Sequence, residues 1–203
     1  MLRIFLIAGT VLAAQPLLAQ SGPSFDCSLA QSSAEKAICA DPELAELDQR
    51  LSKEYARALV MAQELDYGAD EAIDELRATQ RGWISGRDEC WKAADQAECI
   101  SDAYLRREGE LVAQWFLEEP ASVVTWICDE NPSNELVTIF FGTELPSVRF
   151  ERGDRVTVGS LAPTGSGARY DGPFGQFLWM KGNEAIFREA DPDGTEYRCR
   201  EAS

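Results

Sequence analysis

The chain has 203 residues, of which 35 are acidic, 19 are basic and none is histidine. A net charge of −16 repels nucleic acid and anionic lipid, so neither is expected as a partner, whereas a cationic protein would be attracted; solubility is the alternative reason for the acidity. Without histidine the commonest general base is missing, which argues against catalysis, although composition leaves a glycosidase with two carboxylates open.

The first 19 residues, MLRIFLIAGTVLAAQPLLA, contain one cation at Arg3, then an apolar run, then small residues. This pattern predicts a secretory signal peptide cleaved after Ala19, with Ala14 as the alternative, and the run is too short to span a membrane. The context of Cys27, the first cysteine after the run, lacks the small residues of a lipoprotein site, so we expect no membrane anchor. Loss of Arg3 would change the net charge from −16 to −17.

The six cysteines all follow the predicted signal peptide, and an even number in an exported chain predicts a disulfide framework. Sequence alone permits many pairings, of which the order along the chain favours the simplest. The spacings fit no zinc site, so no metal is expected. The favoured pairs are Cys27 with Cys39, Cys90 with Cys99, and Cys128 with Cys199.

Residues 24–117 are predicted to form a small all-α domain of three helices, because apolar residues recur at steps of three and four. The first helix begins at Pro42, with Asp41 as its N-cap. The second follows a stripe from Ile73 to Arg87, and the third a stripe from Ala97 to Trp115. A core of this size is modest, so two local disulfides would stabilise it.

Residues 122–203 are predicted to form an all-β domain, because the hydrophobic period changes near residue 118. Short runs rich in Val, Ile, Thr and aromatic residues alternate with turn signals that contain Gly, Pro, Asn and Asp. This spacing indicates a small antiparallel barrel or sandwich whose first and last strands are joined by Cys128 and Cys199. The runs are VVTWIC, LVTIFF, SVRF, RVTVGSL, ARY, QFLWM, EAIF and EYRC.

The segment SGARYDGPFGQFLWMKG, residues 166–182, contains a serine beside glycine and a lysine before glycine. Glycine next to Ser166 permits a close approach of the backbone. A loop before one strand and a turn after its antiparallel neighbour emerge at the same end of a sheet, so Ser166 and Lys181 are predicted to share one rim. The alternative is that TGSG is only a turn and that Lys181 is a charge that protects a sheet edge.

Residues 123–200 resemble the C-type lysozyme inhibitor family, MliC and its periplasmic relative PliC, in the WIC, SGARY, KG, NEAIF and YRC segments. The resemblance implies an eight-stranded antiparallel barrel whose inhibitory residues are the serine of the SGxxY segment and the lysine of the lysine–glycine turn. Ser166 and Lys181 match those two positions. Met180 stands where the family usually has threonine. The residues predicted to bind lysozyme are Ser166, Lys181, Gly167, Arg169, Tyr170 and Gly182, with stacking on the barrel wall as the alternative for Arg169.

Residues 24 to about 115 resemble the N-terminal family of the lysozyme inhibitor LprI, in the segments PSFDCSLAQSSAEKAICADPELAELDQRLSKEYARAL and QRGWISGRDEC. The family name implies a similar role, and the resemblance assigns no inhibitory residue in this half. The expected fold is therefore a disulfide-stapled all-α domain of three helices followed by an all-β antiparallel eight-stranded barrel.

Together the resemblances imply a periplasmic protein of the Gram-negative envelope that inhibits c-type lysozyme, is not an enzyme and needs no cofactor. C-type lysozyme is cationic and holds two catalytic carboxyl groups, to which Ser166 would donate a hydrogen bond and with which Lys181 would pair. The alternative is a periplasmic adaptor that binds an envelope protein or a cell-wall fragment without inhibiting lysozyme. A glycan-cleaving enzyme is the third possibility, and it requires turnover of peptidoglycan by the protein alone.

Overall fold

A computed structural model describes residues 22–202, so the predicted signal peptide lies outside the described residues. Four helices with two disulfides precede a closed barrel of eight antiparallel strands, which confirms the predicted fold class. No helix within residues 22–202 combines the length and the apolar character that crossing a bilayer requires. The helices are α1 (Ser33–Ala40), α2 (Pro42–Gln63), α3 (Ala69–Asp88) and α4 (Gln96–Trp115).

Helix α1 is the one helix that the apolar stripes did not predict. Ser32 caps it by accepting a hydrogen bond from the Glu35 backbone N–H at 3.0 Å, while the Glu35 carboxylate accepts from the Ser32 N–H at 2.9 Å. This reciprocal capping box stabilises the start of a helix that is only eight residues long. The Cys27–Cys39 disulfide then ties α1 to the segment before it, and Cys90–Cys99 joins the start of α4 to the turn after α3.

The eight strands form an up-and-down barrel in which each strand pairs with its neighbours in sequence and β8 closes on β1. Cys128 and Cys199 are directly opposed in that closing pair and form the third disulfide. All three bonds match the predicted pairing. The strands are β1 (Ser122–Cys128), β2 (Glu135–Phe141), β3 (Ser147–Arg152), β4 (Arg155–Ala162), β5 (Ala168–Asp171), β6 (Phe177–Lys181), β7 (Glu184–Arg188) and β8 (Glu196–Glu201).

Strand β2 is buried on both of its faces. Its inward side chains, such as Leu136 and Phe140, belong to the barrel core, whereas Ile139 and Phe141 belong to the core of the helical half. Helix α4 covers that outer face and contacts β2, β3 and β4. The core of the helical half therefore includes outward-facing residues of β2, and removing either half would expose apolar surface of the other.

Polar contacts reinforce the junction between the helices and the barrel. The Arg50 guanidinium lies 2.8 Å from the carboxylates of both Glu108 on α4 and Glu144 in the β2–β3 loop. Arg149 on β3 donates to the Gln114 carbonyl at 3.0 Å. These bonds link α2, α4 and the barrel and fix how the helices sit beside the barrel.

Candidate functional site

The candidate site lies at the end of the barrel where the β4–β5 loop and the β6–β7 turn emerge. In an up-and-down barrel alternate connections lie at the same end, and the β2–β3 loop is the third connection there. Ser166 lies in the β4–β5 loop and Lys181 is the last residue of β6, and both are exposed. We call the exposed residues 163–167 and 181–183 at this end of the barrel the rim.

Gly167 brings the serine loop against the lysine strand. Its φ of +71° is in the left-handed region, and a Cβ built there would lie 2.1 Å from the Met180 carbonyl oxygen and 3.4 Å from the Lys181 Cβ. The pairing of Ala168 with Met180 in the β5–β6 ladder sets this register. Only glycine satisfies both the backbone angle and the close approach, so the sequence requires Gly167 for Ser166 to lie beside Lys181.

A side chain of the neighbouring strand bonds the Ser166 backbone, and the Ser166 hydroxyl remains available for hydrogen bonding. Its carbonyl accepts a hydrogen bond from the Trp179 indole N–H at 2.8 Å and a second from the Thr164 hydroxyl at 3.3 Å. Across residues 22–202, no group forms a hydrogen bond with the Ser166 hydroxyl. The hydroxyl is therefore free to bond a partner.

Lys181 presents an ammonium group that forms no ion pair within the described part of the chain. Among the described residues no carboxylate oxygen lies within the 4.0 Å of an ion pair from its ammonium group. Glu184 is its partner across the β6–β7 turn, but the Glu184 carboxylate pairs instead with Arg200 at 3.2 Å. Gly182, with a φ of +63°, supplies the left-handed residue of this turn, and the Lys181 side chain remains exposed at its edge.

Arg169 and Tyr170 occupy different places from the serine and lysine. The Arg169 guanidinium stacks 4.1 Å from the centre of the Phe177 ring and bonds Asp171 at 2.7 Å, so it lies on the outer barrel wall as the stacking alternative predicted. Tyr170 points into the barrel, 9% exposed, and burial raises its pKa. Its ring packs 5.2 Å from that of Phe140, so Tyr170 supports the rim from inside and does not line it.

Two cavities lie outside the rim. One, of about 650 Å³, opens between the helices and the barrel and is largely apolar, with Trp115, Phe116 and Val158 in its lining. The other, of about 510 Å³, is an acidic groove beside the β2–β3 loop, and it is therefore at the same end of the molecule as the rim. The acidic residues that line this groove are Asp41, Glu43, Glu46, Glu98 and Glu144.

No cluster of three or more metal-ligating side chains occurs within residues 22–202. The half-buried carboxyl of Glu108 has a pKa raised by its burial, although Arg50 beside it acts in the opposite direction. Its carboxylate bonds Arg50 at the junction of the two halves, where it links α4 to α2. This structural position accounts for the burial of Glu108 without a catalytic role.

Comparison with known proteins matches both halves of the chain. Residues 126–196 match the family model MliC, described as a membrane-bound lysozyme-inhibitor of c-type lysozyme, and residues 27–111 match the family model LprI, described as lysozyme inhibitor LprI. Both resemblances predicted from the sequence are confirmed. Lipoprotein LprI of Mycobacterium bovis and lipoprotein LprI of Mycobacterium tuberculosis are each 30% identical to this chain over 186 residues, which cover 89% of this chain and 85% of the relative.

Proposed function

This chain belongs to the LprI family of lysozyme inhibitors, and we propose that it inhibits c-type lysozyme by inserting the rim of its barrel into the active-site cleft of the enzyme. Ser166 would donate a hydrogen bond to one catalytic carboxyl group, and Lys181 would pair with the other as a carboxylate. Family membership indicates an inhibitor that acts by binding, without chemistry of its own.

One observation carries the proposal: Gly167 packs against the Met180 carbonyl and so places the Ser166 loop beside the strand that ends in Lys181. The Ser166 hydroxyl and the Lys181 ammonium group, neither of which has a bonding partner within the described residues, are then both exposed at one end of the barrel. This pair is complementary to two carboxyl groups in a cleft. Charge-assisted hydrogen bonds in such a water-poor site are each worth about 2–5 kcal/mol when one partner is truncated.

We further propose that the protein is exported to the periplasm and acts there without a lipid anchor. The apolar N-terminal run supports export. Cys27, the first cysteine after that run, is bonded to Cys39, so its thiol is engaged in a disulfide. Release of the leader would also leave a protein of more negative charge, which suits a cationic target.

The inhibition constant against purified c-type lysozyme tests the proposal. Ser166→Ala and Lys181→Ala should each weaken inhibition, and Lys181→Ala should cost more because it leaves a desolvated carboxylate without its partner. Losses in the double variant should be non-additive, since both side chains address the same carboxyl pair. Arg155→Ala is the matched control, because Arg155 is an exposed cation at the opposite end of the barrel.

The variants are made in the full chain, because Ile139 and Phe141 of the barrel belong to the helical core, and separating the halves would expose apolar surface. Circular dichroism checks that each variant folds. Unchanged inhibition by both single variants would refute insertion of this rim. Binding of lysozyme without inhibition, or no binding at all, would favour the adaptor, and release of soluble fragments from peptidoglycan by the protein alone would identify an enzyme.

A further inference from the structure

Trp179 is the one residue of β6 whose side chain bonds the backbone of the serine loop. On the ladder it is opposite Arg169 of β5 and Ile186 of β7, which places all three on the outer wall of the barrel. Its indole N–H reaches past the strand to the Ser166 carbonyl at 2.8 Å. Because an indole N–H on the outer wall could equally donate to water, the bond to Ser166 is not required to satisfy a buried donor.

The serine loop needs such a tether. Residues 163–167 are exposed, belong to no strand and include two glycines, so the free loop would sample many conformations. Ordering a loop during association costs free energy that a preorganised loop has already lost. Thr164 donates to the same carbonyl from within the loop, at the longer distance of 3.3 Å, so Trp179 is the shorter of the two contacts and the one that joins the loop to the sheet.

From this geometry we infer that Trp179 is a positioning residue, which holds Ser166 in its binding conformation through the indole-to-carbonyl hydrogen bond. The inference rests on the proposed function for the consequence to inhibition, but the bond itself is independent of lysozyme. Trp179 acts on the backbone of Ser166 and leaves the hydroxyl free. Its effect on inhibition therefore passes through Ser166.

The test is Trp179→Phe in the full chain, which keeps an aromatic ring on the wall and removes the N–H donor. We expect the inhibition constant to rise about threefold to tenfold, as for the loss of one net hydrogen bond. Trp83→Phe is the matched control, because the Trp83 indole also donates to a backbone carbonyl, that of Ala103, at 3.1 Å but within the helical half. Inhibition by Trp83→Phe should remain at the level of the parent.

A double-variant comparison separates positioning from direct contact and from general stability. In a Ser166→Ala background, Trp179→Phe should have little further effect, whereas in a Lys181→Ala background, where the Ser166 hydroxyl remains, Trp179→Phe should still weaken inhibition. Additive losses with Ser166→Ala, or inhibition by Trp179→Phe equal to that of the parent, would overturn the inference. Failure of the proposed function looks different, because Ser166→Ala and Lys181→Ala would then leave inhibition unchanged.

Solvent exchange of the indole protons tests the bond in the absence of lysozyme. The indole N–H resonance that disappears in Trp179→Phe should exchange more slowly than that of Trp91, whose side chain is 61% exposed. Equal exchange rates for the two indoles would show that the bond to Ser166 does not persist in solution, and the inference would fail at its first step.

Discussion

At the scale of single residues, Tyr104 links the helices of the N-terminal half. Its hydroxyl accepts a hydrogen bond from Arg87 at 2.9 Å and donates one to the Asp48 carboxylate at 2.7 Å. The second Asp48 oxygen accepts from the Ser24 backbone N–H at 2.6 Å. Burial raises the pKa of Tyr104 well above its usual value, so the hydroxyl stays protonated at neutral pH and can donate. One phenol thus connects α2, α3 and α4.

Tyr104→Phe should lower the free energy of unfolding by about 1–3 kcal/mol, because Asp48 and Arg87 are both buried and each would lose a partner. Tyr67→Phe is the control for the same chemical change at a side chain that is 95% exposed, and it should alter stability by no more than about 0.5 kcal/mol. Urea denaturation followed by far-UV circular dichroism gives both values. Equal stability of the two variants would show that the buried phenol contributes nothing net.

The sequence predicted part of this residue-level picture. The apolar stripes placed Arg87 and Tyr104 on the inner faces of their helices, where the structure has them. No stripe identified Asp48 as the group that completes the network, because the partner of a buried polar side chain depends on how helices pack and not on their periodicity. Tyr170 shows the same limit, since its position in a rim motif did not reveal that its ring faces the barrel core.

At the scale of elements, helix α4 joins the two halves, and Gly109 permits its close approach to the barrel. A Cβ built on Gly109 would lie 2.9 Å from the Ser147 Cβ on β3, and Ser147 is fully buried. The Ser147 Cβ is attached directly to the strand backbone, so it cannot move aside as the end of a long side chain would. The helix and the strand would have to separate.

Gly109→Ala should therefore destabilise the protein by about 1–3 kcal/mol through overpacking, less the gain in helix propensity. Gly86→Ala on α3 is the matched control, because no heavy atom lies within 4 Å of the Cβ that it would add. That control should stabilise the protein by about 0.5–1 kcal/mol. Thermal unfolding of the two variants decides the matter, and a stabilising Gly109→Ala would mean that the contact between α4 and β3 is loose in solution.

Most elements were predictable because local patterns specify them. All eight strand runs and three of the four helices were predicted, and Asp41 caps α2 with bonds to the next turn. Helix α1 was missed because two buried residues, Ala34 and Ile38, make too short an apolar stripe, although its capping box was readable. The consecutive apolar residues IFF at the end of β2 were a further signal, because apolar and polar residues would alternate in a strand covered on one face only. This run indicates that β2 is buried on both faces.

At the scale of the whole molecule, the exposed rim and the acidic groove lie at the same end. Across residues 22–202 the helices make their substantial barrel contacts on β2, β3 and β4, so the rim formed from the β4–β5 loop and the β6–β7 turn is not covered by α4. The acidic groove beside Glu144 opens at that same end. Under the proposed function, the acidic surroundings would attract a cationic enzyme, and Lys181 would remain available to pair with its carboxylates.

The rate of association with c-type lysozyme should fall as salt rises, because the screening length shrinks from about 30 Å at 0.01 M to about 8 Å at 0.15 M. Removing three charges from the acidic groove with Glu43→Gln, Glu46→Gln and Glu98→Gln should lower the association rate at low salt and flatten its dependence on salt, while the dissociation rate stays nearly constant. The matched control removes three charges from the opposite end with Glu130→Gln, Asp154→Asn and Asp193→Asn, which are exposed in loops there. Stopped-flow association at several salt concentrations distinguishes the two triple variants. Equal slopes would mean that only total charge matters, and an association rate of the parent protein that does not respond to salt would mean that the acidity serves solubility alone.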